Sequence, residues 1–236
     1  MTLPRQLILG HRGAPLEAAE NTLRSLALAV ERGADGVELD VRRSRDGVPV
    51  VIHDDSLERT MGVGNAVSRL DWPAIQRLTA ARVPSLAQVA AWAAASGAWL
   101  NVELKAGGFE DIVIEALANT GVLGRTIISS FDPYAVRRAG DIDPAVRRFL
   151  LARAWDASAE RDLEASDAVG VCLGVDAATG PVLEHLSARK LPVIVWTVND
   201  ADRLRELLEG GVAGIISDDP AMAAGIRART SRTNVD

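Results

Sequence analysis

Val37-Glu38-Leu39-Asp40-Val41, Arg42 to Gly47, then Val48-Pro49-Val50-Val51-Ile52-His53-Asp54 is the stretch whose reading decides the fold. Two apolar, β-branched runs flank a polar segment too short for a helix. Asp46-Gly47 supplies a tight turn, and Asp-Gly between two such runs is a strong hairpin signal. The pair Val37 to Val41 and Val48 to Ile52 is therefore read as a β-hairpin. If the turn gives the two strands an odd residue sum, His53 falls opposite Glu38, Asp40 or a near neighbour. A parallel strand ending at His53 would bring it to the same rim.

Outward from this stretch the pattern becomes a regular alternation. Strand candidates are Leu7 to Gly10, Trp99 to Leu104, Thr126 to Ser130, Arg148 to Leu151, Ala168 to Leu173, Pro192 to Val198 and Gly214 to Ser217. Between most of them lie amphipathic segments: Asn21 to Glu31, Ser85 to Ala95, Phe109 to Thr120, Pro133 to Ala139, Pro181 to Ala188 and Asp200 to Glu209. Strands alternating with helices predict βα units around a parallel sheet. Removing the hairpin's return strand from nine candidates leaves eight. The α/β fold expected is thus a (β/α)8 TIM barrel with an extra hairpin strand, over one domain of residues 1–236. Residues 54–84 carry turn residues and one short helix near Trp72 to Leu78, and read as a small insertion. The polar tail at 229–236 is expected to fray.

The chain has 236 residues, nearly half of them apolar, enough to bury a substantial core. A net charge of −6 without a basic block argues against nucleic acid as the partner. The single cysteine, Cys172, sits in an apolar run and reads as core. No apolar stretch reaches the length of a membrane span, so no stable membrane association is expected. The first motif starts at His11, with no room for a signal peptide before it, and a cytoplasmic protein is expected. Oligomeric state is not legible.

Barrel enzymes build their sites at the C-terminal ends of strands, which makes the polar residues there informative. His11-Arg12-Gly13 follows the first strand: a proton-transfer group beside a fixed fork of donors suited to phosphate. Glu38 and Asp40 share one strand face, and two such carboxylates call for a neutraliser, most simply a hard cation. An edge strand with a solvated acidic face is the alternative. His53-Asp54 ends the hairpin. Asn101, Glu103 and Lys105 again share a face; among 24 arginines and two lysines, a lysine here suggests an ammonium aimed at a phosphate oxygen, although a plain ion pair would also explain it. Three carboxylates with open positions suit Ca²⁺ or Mg²⁺ better than zinc. Two histidines free of the metal can act as general acid and base. His185, on a helix, is expected at the surface.

These motifs, together with Glu20-Asn21-Thr22, Leu57-x-Arg59-Thr60, Ser129-Ser130-Phe131, Val195 to Asp200 and Gly214 to Asp218, resemble the glycerophosphodiester phosphodiesterase family in order and spacing across residues 10 to 219. The resemblance implies a TIM barrel related to phosphatidylinositol-specific phospholipases C. It implies a lipid- and glycerol-metabolism hydrolase that cleaves a small glycerophosphodiester to sn-glycerol 3-phosphate and an alcohol through a cyclic phosphate. It further implies Glu38, Asp40 and Glu103 as ligands of one divalent cation, His11 and His53 as the acid/base pair, and Arg12 and Lys105 on the phosphate. Trp196 would line the pocket near the glycerol, or pack in the core. Asn21 would position the loop around His11, or cap the next helix. Two departures stand out: Ala19 replaces the usual proline before Glu20, and the 54–84 segment is short for the family, which bears on the alcohol accepted. A metal-dependent barrel lyase or isomerase with Lys105 as an unpaired base, and a non-catalytic binding barrel, are the competing classes.

Overall fold

A computed structural model describes Leu3 and residues 6–233. The strands are β1 (Leu7–His11), β2 (Gly36–Arg43), β3 (Pro49–Val51), β4 (Ser56–Leu57), β5 (Val63–Ala66), β6 (Trp99–Leu104), β7 (Thr126–Ser130), β8 (Arg147–Ala152), β9 (Gly170–Gly174), β10 (Val193–Trp196) and β11 (Gly214–Ser217). The helices are α1 (Leu23–Glu31), α2 (Glu58–Met61), α3 (Trp72–Leu78), α4 (Leu86–Ser96), α5 (Glu110–Asn119), α6 (Pro133–Ile142), α7 (Ala157–Ser166), α8 (Gly180–Ala188), α9 (Ala201–Glu209) and α10 (Pro220–Thr233). Eight strands run parallel in the order β1-β11-β10-β9-β8-β7-β6-β2, and β1 pairs with β2 to close the barrel. β3 lies outside the ring, antiparallel to β2.

Period two sorts the side chains. Leu7 and Leu9, Ile127, Phe149 and Leu151, Cys172, Ile194 and Ile216 fill the barrel's interior. Ile8, Val37, Leu39, Val102, Leu150, Val195 and Ile215 face outward into a second core shared with the helices. Each such fully buried side chain stabilises the fold by roughly 1.5–3 kcal/mol. Helix starts are chemically marked. Thr22 caps α1, Ser85 and Gln88 form a capping box on α4, and Asp132 caps α6 ahead of Pro133.

The hairpin register differs from the odd sum expected. Val41 pairs with Val51 and Arg42 with Val50, an even register. The cause is loop length: three residues, 45–47, connect the strands, with Ser44 N–H donating to Val48 O at 3.0 Å. Gly47 takes φ +89, the left-handed residue that ends such a loop. Ile52 N–H still donates to Asp40 O at 2.9 Å; beyond it the chain leaves the ladder, and Arg42 Nε donates to His53 O at 2.8 Å. His53 therefore reaches the rim by a bend, not by facing Asp40 across the hairpin.

The insertion carries more structure than its sequence announced. β4 and β5 pair, α2 lies between them, and Val50, Ile52, Leu57, Val67, Ile75 and Val83 form a separate small core. The tail expected to fray begins inside a helix. α10 continues to Thr233 and so includes residues 229–233, while 234–236 lie outside the described residues. Asp219 accepts from Met222 N–H at 2.9 Å at its start, and the helix packs on α9 and β1. The other unpredicted helix, α7, buries only Ala159, Leu163 and Ser166, too thin an apolar stripe to read beforehand.

Candidate active site

The inward series that fills the barrel ends, at the C-terminal rim, in polar groups. On β1 the sequence Leu7, Leu9, His11 turns from hydrocarbon to imidazole; on β2 Glu38 and Asp40 point in; on β6 Asn101 and Glu103 do, with Lys105 following. Parallel register sets Asp40 beside Glu103 and His11 beside Glu38. The carboxylates of Glu38, Asp40 and Glu103 are buried, and one ligand oxygen from each lies within 4.8 Å of the others.

Charge is only partly compensated there. Lys105 Nζ lies 2.6 Å from Glu103 Oε1 and 3.3 Å from Asp40 Oδ1. Arg12 Nε lies 3.2 Å from Asp40 Oδ2, and Asn21 Nδ2 donates to the same oxygen at 2.8 Å. Asn21 thus braces a site carboxylate, while the cap of α1 belongs to Thr22. Arg12 sits at φ +54 and Gly13 at φ +97, a turn that aims the Arg12 backbone N–H at Glu38 Oε2, 3.1 Å away. A side chain at Gly13 would collide with Ser25. Burial, then the Asp40 carboxylate, drives Glu38 up to about 8, with His11 and Arg12 pulling the other way. Burial and Asp40 also raise Glu103, against Lys105. Three crowded oxygen donors, two of them pushed toward protonation, are the donor set a hard divalent ion would satisfy.

Each histidine is held by a carboxylate through Nδ1. His11 Nδ1 meets Asp218 Oδ1 at 2.7 Å, and its Nε2 lies 3.9 Å from Glu38 Oε2. Asn199 Nδ2 donates to Asp218 Oδ2 at 2.6 Å. His53 Nδ1 meets Asp54 Oδ1 at 2.7 Å. Arg59 then ties Asp54 to Glu20: Nε to Asp54 Oδ2 is 2.5 Å and Nη2 to Glu20 Oε1 is 2.6 Å. Glu20 in turn accepts from Arg12 Nη1 at 3.0 Å. An Nδ1–H given to a carboxylate leaves Nε2 of each ring as the working nitrogen.

All eight residues singled out in the sequence belong to this rim. His11, Arg12, Glu38, His53, Glu103, Lys105 and Trp196 line one pocket, and Asp40 supports it from below. Trp196 donates its indole N–H to Cys172 O at 3.0 Å and meets Phe131 edge-on. Cys172 is fully buried and burial raises its thiol pKa, in keeping with a core role. His185 lies on the outer surface, 2.7 Å from Glu160. Sequence reasoning gave no site role to Asp218, Asn199, Asp54, Glu20 and Arg59, although each falls inside a motif it quoted; α9, expected to be capped by Asn199 or Asp200, is capped by Asp200. It missed Arg153 altogether.

With fold and rim in view, the comparisons with known proteins make the class plain: the chain is a barrel enzyme, a phosphoric diester hydrolase. It belongs to the glycerophosphoryl diester phosphodiesterase family, whose model matches residues 11–222. A glycerophosphodiester phosphodiesterase of Caldanaerobacter subterraneus subsp. tengcongensis is 29% identical over 231 residues, covering 92% of this chain and 95% of that one. The crystal structure of a glycerophosphodiester phosphodiesterase from Thermotoga maritima superposes with a TM-score of 0.83 at 27% identity, covering 96% of this chain and all 100% of the other. A phosphodiesterase of Oleispira antarctica, solved with the product sn-glycerol-3-phosphate, gives 0.82 at 27% identity, covering 95% and 96%. Among the described residues no helix is long and apolar enough to cross a membrane.

Proposed function

We propose that this enzyme hydrolyses water-soluble glycerophosphodiesters to sn-glycerol 3-phosphate and an alcohol, with His11 and His53 as the acid/base pair. One observation carries the reading: three buried carboxylates gathered within 4.8 Å, flanked by two histidines each oriented by its own carboxylate. Glu38, Asp40 and Glu103 would hold one divalent cation, Ca²⁺ or Mg²⁺, which when bound supplies charge for the phosphoryl oxygens.

The remaining steps belong to the chain's own groups. Arg12 and Lys105 sit beside the carboxylates and face the phosphate. His11 Nε2 takes the proton of the glycerol 2-hydroxyl, whose oxygen attacks phosphorus. His53 stands where the pocket meets a second, outward-facing hollow lined by Arg42, Asp54, Asp55 and Arg59. The alcohol leaves on that side, with His53 giving its proton to the departing oxygen. The cyclic phosphate then opens by the reverse exchange: His53 takes a proton from water, and His11 returns one to the 2-oxygen. Lys105, engaged by two carboxylates, is poorly placed as the free base a lyase would need.

Release of sn-glycerol 3-phosphate from a panel of glycerophosphodiesters, measured with Ca²⁺, with Mg²⁺ and with EDTA, tests this. Metal-dependent release that is lost in His11→Ala is expected. Silence across the panel from folded, metal-loaded protein would overturn it.

A further inference from the structure

The pocket has two unlike ends. Beyond His53 it gives onto a hollow of about 420 Å³. Away from His53 it is walled by Phe131, Arg153 and Trp196, with Phe131 and Arg153 exposed at its mouth. A diester with one variable alcohol and one constant glycerol fits this asymmetry, the alcohol toward the open hollow and the glycerol toward the aromatic wall.

Arg153 directly follows β8 and continues its inward series Phe149, Leu151. Its guanidinium carbon lies 5.2 Å from the ring centroids of both Phe131 and Trp196. The two rings meet at 5.7 Å and 79°, and the indole is pinned to Cys172 O. The guanidinium therefore rests on a fixed aromatic platform, which uses its face and leaves its edge N–H donors unspent. The pocket's other cations are engaged, Arg12 by Glu20 and Asp40 and Lys105 by Asp40 and Glu103. Arg153 has no carboxylate and no hydrogen-bond partner among the described residues. Such donors, set inside a substrate pocket, match the oxygens of a ligand.

We infer that Arg153 is a substrate-binding, specificity-determining residue that donates to the glycerol arm and selects diesters whose glycerol is unacylated. The inference rests on the hydrolysis proposed above. Free hydroxyls accept from the guanidinium at no cost in buried charge. An acyl chain at the same place sets methylenes against the guanidinium edge, displacing water from it and supplying no acceptor.

The test compares wild type, Arg153→Met and Arg153→Lys on glycerophosphocholine and on 1-hexanoyl-sn-glycero-3-phosphocholine, which share a headgroup and differ only in the arm. Arg153→Met is expected to lower kcat/KM for glycerophosphocholine about 10- to 100-fold, chiefly through KM. The acylated substrate should change by less than about threefold, since it never used the donors. Arg153→Lys should recover part of the loss, and sn-glycerol 3-phosphate should inhibit the Met variant correspondingly more weakly. An unchanged Met variant, or equal loss on both substrates, in an otherwise active enzyme overturns this assignment alone. Wild type that releases no sn-glycerol 3-phosphate removes the hydrolytic reading and this inference with it.

Discussion

Asp218 holds His11: Nδ1 and Oδ1 are 2.7 Å apart although 207 positions separate the two residues in the chain. The contact exists because β11 pairs with β1 and delivers the residue after its last strand position to the rim. Burial disfavours the charged ring, but the Asp218 hydrogen bond and then the Glu38 carboxylate outweigh it, so His11 titrates above the ordinary 6.5. A raised folded-state pKa means that this stabilisation is complete below about 6.5 and is lost as pH rises through the folded value.

Asp218→Asn should therefore lower kcat about 10- to 100-fold while leaving KM nearly unchanged. The limb of the pH–rate profile belonging to His11 should move to lower pH. A profile that keeps its position would show that Asp218 does not tune the ring.

Glu38 supplies the second expectation. Its folded pKa is about 8 against an ordinary 4.5, so the folded metal-free protein binds a proton that the unfolded chain releases. Stability contributed by that proton is present below 4.5 and falls away as pH climbs toward about 8. Thermal melts in EDTA should accordingly drop in Tm across this window. A divalent cation at 100 times its Kd should add about 2.7 kcal/mol, a rise of roughly 5–10 °C in Tm. The rise should grow with pH, because the ion competes with that proton. A Tm indifferent to Ca²⁺ and Mg²⁺ at every pH would count against the acidic triad as a metal site.

His53 and Glu103 separate chemistry from metal binding. The His53 side chain is about a third exposed, and its ring is held by Asp54. His53→Ala should cut kcat by about 10²–10⁴ with little change in Tm or in metal affinity. Glu103→Gln removes an anionic oxygen and the partner of Lys105, and should abolish both turnover and tight metal binding. Calorimetric titration of Ca²⁺ into the two variants distinguishes them. Identical binding defects in both would undo the division of roles.

Arg59 links the two halves of the rim. It bonds Asp54 and Glu20, and the Arg59 hydrogen bond is the main reason Asp54 falls to about 2. A depressed carboxylate stabilises above its unfolded 3.8, and that contribution is lost as pH falls through about 2. Arg59→Met should raise the pH midpoint of acid unfolding. It should also lower kcat several-fold, roughly the effect of a loosened support for His53. Arg59 is half exposed, so the stability change should stay below about 1 kcal/mol. Unaltered kcat would make the bridge purely structural.

Legibility followed from how local each cause was. Strand ends at Trp99–Leu104, Thr126–Ser130 and Gly214–Ser217 were readable because alternation and turn residues announce them within a few positions. Glu38, Asp40, Glu103 and Lys105 were readable for the same reason: period two assigns them to one face, and the strand's direction assigns them to one end. The hairpin's register was not, because one added loop residue reverses every face and only the folded turn reveals that residue. Helix α7 went unread because its stability comes from docking, not from its own apolar stripe.

By itself, then, the sequence determined which residues point into the barrel and which of them can carry charge and protons, since those properties are set by backbone periodicity and side-chain chemistry. Tertiary structure alone decided their partners. Asp218 on His11, Arg59 between Asp54 and Glu20, and Arg153 across Phe131 and Trp196 all join segments brought together by barrel closure or loop docking. Spacing along a chain carries no record of such contacts; they arise only when the ring closes and its loops dock.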